Sequence, residues 1–139
     1  LVERSAFNFI LIRYAEVLLT YAEAQNEASG PDQSVYDAIN QLRRRPDINM
    51  PEVPKGLTKD QMREVIRRER RIELTFEGLY YSDILRWKTA EKENNGMMHN
   101  YDGIEVVKRS FNPKRDYLWP IPYNQTVLNP NLEQNPNWD

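Results

Sequence analysis

Residues Arg67 to Trp87 read RRERRIELTFEGLYYSDILRW, a helical pattern carrying far more charge than an ordinary core helix tolerates. Ionisable side chains are seldom buried unless they are paired. The stretch is also too apolar for a rod in water, since Ile66, Ile72, Leu74, Phe76, Leu79, Tyr80, Ile84, Leu85 and Trp87 recur along it. It is therefore expected inside a helical body, with its charges meeting partners there.

Glu69, Glu73 and Glu77 fall at i, i+4 and i+8, so three carboxylates line one helical stripe, about 6 Å apart. Two chemistries suit such a stripe. A retaining glycosidase holds two carboxyl groups about 5–5.5 Å apart. Alternatively the acids are ion-paired with Arg70, Arg71 and Arg86, and with Arg13 or Arg43 across a helix contact. A regular helix cannot converge three carboxylates on one bond, so pairing is the stronger reading. Arg13, Glu16, Glu69, Arg70, Glu73, Glu77 and Arg86 are expected to form a structural ion-pair network with no catalytic member.

Other functions are excluded by what the chain lacks. Arg63, Arg67, Arg68, Arg70 and Arg71 cluster, but Glu64, Glu69 and Glu73 interleave them, which is not the acid-free face that nucleic acid requires. The formal net charge is −2, so no global field favours a polyanion either. There is no cysteine, and His99 is the only histidine, beside Asp102 alone among nearby carboxylates. That is too thin for a metal or a catalytic relay. No cofactor is expected, since phosphate-loop and nucleophile-elbow patterns are missing.

Along the chain, Tyr14, Val17, Leu18, Tyr21, Ala22 and Ala28 recur at helical spacing, predicting a helix over about 9–28 that Gly30-Pro31 stops. Tyr14 and Tyr21, like Trp87, are expected in the core. Val35, Ala38, Ile39 and Leu42 predict a second helix over about 34–45, ended by Pro46. Thr58 and Gln61 form a capping box, with Leu57 and Met62 placed as a hydrophobic staple. A third helix is expected over 59–77, a break near Gly78, and a fourth helix over 79–93. Residues 94–139 are expected to be a mostly irregular strap, with one short hairpin pairing Val106-Val107 with Tyr117-Leu118. The fold expected is thus all-α: a tetratricopeptide-like αα-hairpin, further packed helices and the strap, in one domain over 1–139.

Four ordered segments carry a family resemblance. They are Arg13 to Glu27 (RYAEVLLTYAEAQNE), Ala38-Ile39-Asn40 with Leu42-Arg43, Glu69 to Gly78 (ERRIELTFEG) running on to Arg86-Trp87, and Leu118 to Pro122 with Gln134-Asn135-Pro136. In that order they resemble the RagB/SusD family of surface nutrient-binding lipoproteins. One departure stands out: the family commonly closes Gln-Asn-Pro-Gly-Tyr, whereas Asn137 and Trp138 follow Pro136 here. Asn also tolerates the left-handed backbone that Gly supplies, and Trp keeps an aromatic anchor.

The resemblance implies the C-terminal portion of an outer-membrane, surface-exposed lipoprotein that captures oligosaccharides or similar nutrients. It implies delivery to a SusC-like TonB-dependent transporter without bond cleavage. It also implies that the lipid anchor and much of the ligand pocket lie upstream. The candidate ligand contacts here are Tyr101, His99 and Tyr117. The competing reading is a tetratricopeptide-like module for protein–protein contact, whose mark would be a solvent-facing apolar groove on the first two helices.

Overall fold

The structure, a computed structural model, describes residues 10–138. They fall into two compact units, one up to Glu77 and one from Gly78 on. The architecture is mostly helical, with six helices and one two-stranded sheet among the described residues.

The first unit holds α1 (Tyr14–Ser29), α2 (Gln33–Arg43) and α3 (Lys59–Glu73). Phe9, the expected start of the first helix, lies outside the described residues, and the helix itself begins at Tyr14. It ends where Gly30 turns left-handed at φ +88° and donates back to the Asn26 carbonyl. Asp32 caps α2 by accepting from the amides of Ser34 and Val35. The capping box at Thr58 is complete, with Gln61 returning a bond to the Thr58 amide. Each device satisfies amides or carbonyls that a helix end leaves unpaired.

The core joins Ala22 of α1, Val35, Ala38 and Ile39 of α2, and Met62 and Ile66 of α3. Small alanines let α1 approach, and Leu57 packs on the same cluster beside Met62. The proline-bearing linker 46–57 is held by two polar side chains of α2. Asn40 Oδ1 accepts from the Val53 amide at 2.9 Å, and the Tyr36 hydroxyl accepts from the Leu57 amide at 3.1 Å. Asn40 is buried, so losing that bond leaves a costly unpaired group.

Several expectations are corrected here. The buried stripe of α1 is Ala15, Leu19, Ala22 and Asn26, about one residue out of phase with the one expected. Tyr14 and Tyr21 are 64% and 47% exposed, not core. The physical reason is that the apolar arc of α1 is wide, with Glu16, Thr20, Glu23 and Glu27 confined to the remaining side, so periodicity alone does not select which part of that arc faces inward. The second helix ends at Arg43, two residues early. The third ends at Glu73, and a turn follows in which Phe76 and Gly78 are both left-handed, at φ +67° and +79°. Glu77 therefore sits in a turn, not on a helix.

The second unit holds α4 (Tyr80–Arg86), α5 (Ala90–Glu93), strands β1 (Gly96–His99) and β2 (Glu105–Arg109), and α6 (Tyr123–Leu128). The single helix expected over 79–93 is interrupted where Lys88 turns left-handed at φ +57°. A hairpin forms, but Val107 faces Met98, not the Tyr117-Leu118 segment. The turn explains this: Asn100 Oδ1 accepts from the amides of Asp102 and Ile104, and Gly103 supplies φ +78°. A short helix, α6, also interrupts the expected strap. Ile84, Ala90 and Phe111 form the unit's small core, with Tyr80, Leu85, Trp87 and Tyr117 packed around them.

Candidate functional site

In the first unit the acids of the signature stretch converge on arginines from other elements. Arg13, just ahead of α1, donates from Nη1 to Glu73 Oε1 at 3.0 Å and from Nε to Glu77 Oε1 at 3.0 Å. Its Nη2 also reaches the Glu73 carbonyl at 2.8 Å, satisfying one of the orphan acceptors at the end of α3. Arg45 grips both Glu73 oxygens at 2.9 Å, a bidentate fork. Arg43 pairs with Glu69. On α3, the buried Arg70 donates to Thr20 Oγ1 at 3.1 Å and faces Glu16 at 3.9 Å. In the second unit Arg86 pairs with Asp83 at 2.9 Å.

The electrostatics follow from this geometry. Hydrogen bonds from Arg13 hold the Glu77 carboxyl below its ordinary range. Arg13 is in turn raised above its ordinary value, chiefly by Glu77 and then by Glu73. Such carboxylates are poor proton donors near neutrality, because a general acid needs its pKa near the working pH.

The three candidate ligand contacts occupy different settings. His99 lies in β1 opposite Glu105, and Tyr101 stands almost wholly exposed in the hairpin turn. Tyr117 packs edge-on against Phe111 at 4.9 Å, with the Lys88 ammonium 4.2 Å from its ring centre. Its hydroxyl is buried without a hydrogen-bond partner among the described residues.

None of these three lines the hollow of about 180 Å³ that opens in the second unit. Its walls are the rings of Tyr81, Phe111, Trp119 and Trp138, beside Leu118, and Asn94, Ser110 and Asp116 add polar groups. Trp119 is 70% exposed and stands edge-on to Tyr81 at 6.0 Å. Asp116 accepts from Arg115 Nε at 2.6 Å and from the Asn112 amide at 2.7 Å, and both bonds lower its pKa, the Arg115 one most.

The closing motif builds this hollow. Pro120 and Pro122 lack amide protons and keep the Leu118–Pro122 segment extended, so it cannot bond to itself as a helix would. Side chains do the work instead. Gln134 accepts from the Ile121 amide at 2.7 Å and donates to its carbonyl at 2.9 Å. Asn135 donates to the Trp119 carbonyl at 2.6 Å, and the Trp138 indole N–H to the Leu118 carbonyl at 2.9 Å. Asn137 adopts φ +64°, the conformation expected of the residue standing for Gly. Sequence reasoning missed the hollow because no spacing rule links Tyr81 of α4 to Trp119. The amide-rich 134–138 segment after a proline-locked one was the available signal.

Among the described residues, no group of three or more metal-ligating side chains gathers, and no helix is long and apolar enough to cross a membrane. The SusD family model matches residues 2–138. SusD-like protein P2 of Formosa agariphila is 37% identical over 136 residues, covering 94% of this chain and 26% of that protein. A SusD-like carbohydrate binding protein from Bacteroides fragilis superposes with a TM-score of 0.79 at 37% identity, covering 88% of this chain and 28% of that one. A SusD homolog from Bacteroides thetaiotaomicron gives 0.73 at 32% identity, covering 96% and 30%. The chain thus spans about a quarter of the length of the curated relatives it matches.

Proposed function

Because the chain belongs to the SusD family, we propose that it forms part of a surface lipoprotein that binds oligosaccharides or similar nutrients without cleaving them. In this reading the bound nutrient passes to a SusC-like TonB-dependent transporter in the outer membrane. The observation that carries the reading is the ring-walled hollow with its polar rim, in a chain similar to a carbohydrate binding protein. Sugars offer apolar C–H faces and a rim of hydroxyls, and this hollow offers the complement.

Magnitudes decide how much one ring contributes. An aromatic face covering about 50 Å² of sugar contributes about 1.3 kcal/mol. A millimolar site needs about 4 kcal/mol before ordering costs. Several rings and hydrogen bonds must therefore act together, and contacts such as Tyr101 and His99, exposed on the hairpin, would add to them. Non-catalytic binding is supported by the pairing of Glu69, Glu73 and Glu77 with arginines, which leaves those acids structural.

The test is a glycan array on the full-length protein that carries this chain, followed by chromatography of any captured oligosaccharide after long incubation. Retention of an intact saccharide is expected. Cleavage lost on Glu73→Gln would overturn the non-catalytic reading, and an empty array would overturn saccharide binding.

A second reading, protein contact, is favoured by the outer face of α1, where Tyr14, Val17 and Tyr21 are exposed at helical spacing. The two readings are compatible, since seating on a transporter is itself protein binding. Cross-linking from Val17→Cys in outer-membrane preparations is expected to capture the transporter, and capture only from α4 or α6 would oppose it.

A further inference from the structure

We propose, resting on the saccharide reading above, that the hollow of the second unit seats one neutral pyranose ring. Trp119 is its stacking platform, and Asn94 and Ser110 bond its hydroxyls.

Size selects a single ring. Pockets for drug-sized ligands run from about 300 to 1,000 Å³, and the hollow encloses about 180 Å³. One sugar residue fits, with the rest of an oligosaccharide passing out through the open side.

The platform is held ready before a ligand arrives. The Asn135 amide and the Trp138 indole pin the carbonyls of Trp119 and Leu118. Tyr81 meets Trp119 at an interplanar angle of 73°, so the two rings do not stack face to face, and the indole stays 70% exposed. Trp138 is a wall and not a second platform, since the Arg115 guanidinium already lies 4.5 Å from its ring centre.

Polar chemistry selects hydroxyls. The side chains of Asn94 and Ser110 make no hydrogen bond among the described residues, so their donors and acceptors are open to a ligand. Asp116 and Arg115 neutralise each other at 2.6 Å beside the hollow. A neutral ring meets no net charge there, whereas a uronate would lie against the Asp116 carboxylate at its edge.

The test uses titration of wild-type chain and of Trp119→Ala and Ser110→Ala with neutral and uronic oligosaccharides, read by calorimetry. The indole N–H signals of the three tryptophans are followed by NMR in the same titrations. Trp119→Ala is expected to lose about tenfold in affinity for the neutral ligand, equivalent to about 1.4 kcal/mol. Ser110→Ala, a smaller change that keeps the platform, is expected to lose severalfold. The Trp119 indole signal should move with saturation while that of Trp87, packed in the small core, stays still. Neutral saccharide bound at full affinity by Trp119→Ala, with its indole unmoved in wild type, would overturn this site and leave the broader function standing. Tighter binding of the uronic ligand would overturn the neutral class. No saccharide bound by wild type would remove both readings together.

Discussion

Glu73 and Glu52 are both paired with arginine, yet their surroundings differ. The Glu73 side chain is 16% exposed and takes bonds from two guanidinium groups, whereas Glu52 and Arg44 are each more than half exposed. Exposed pairs contribute about 0–1 kcal/mol, while hydrogen bonds to a charged, desolvated group contribute about 1.5–3 kcal/mol. Urea unfolding should therefore show Glu73→Gln costing about 2 kcal/mol and Glu52→Gln under about 0.5 kcal/mol. Equal costs would mean the α3 array is no more than surface decoration. Acid tests the same chemistry. Hydrogen bonds from arginine depress the Glu77 and Glu27 carboxyls, through Arg13 and Arg63 respectively. Their stabilisation is present above the unfolded carboxylate range and is lost as pH falls through the lower folded values. The urea midpoint should hold from pH 7 to about 5 and drop below about 4. Glu77→Gln, having no carboxyl left to protonate there, should show the shallower drop, and an unchanged slope would remove Glu77 from the account.

Two helix boundaries were legible in single residues, because a cap is a local device: Thr58 with Gln61 starts α3 and Gly30 stops α1, whereas the start of α1 and the ends of α2 and α3 fell elsewhere than expected. Phase was not legible in α1. Val17, Leu18, Leu19, Tyr21 and Ala22 crowd together, so two apolar stripes compete, and only packing against α2 and α3 selects the one through Leu19. Truncation measures that choice directly. Leu19→Ala, at a fully buried position, should cost about 3 kcal/mol, and Val17→Ala on the outer face under about 1 kcal/mol. The reverse order, read from thermal melts, would restore the expected phase. The hairpin failed differently. Val106-Val107 was recognisable as strand, but Asn100 to Gly103 carries the turn chemistry that pairs it with the Met97–His99 side. The helix break at Lys88 had no such sign, since lysine seldom adopts a left-handed backbone.

The family was legible at the scale of the whole chain because the residues that carry its motifs are joints. Arg13 ties the start of α1 to the end of α3, and Gln134 and Asn135 tie the tail to the proline-locked segment. Such joints need specific side chains at specific places, whereas the hollow is assembled from rings far apart in sequence and leaves no local pattern. The same joints cancel charge: 19 basic and 21 acidic residues leave −2, much of it paired within hydrogen-bond distance. A body so balanced has little field with which to draw an ion, and a neutral saccharide displaces no counterions on binding. Between 0.1 M and 1 M salt the screening length falls from about 10 Å to about 3 Å. Saccharide affinity measured by calorimetry should change less than about twofold across that range. A nucleic-acid or polyanion ligand would instead lose orders of magnitude as its counterions cease to be released. A steep negative slope of log affinity on log salt would show that charge, not ring faces and hydroxyl bonds, holds the ligand, and the neutral-sugar reading would fall with it.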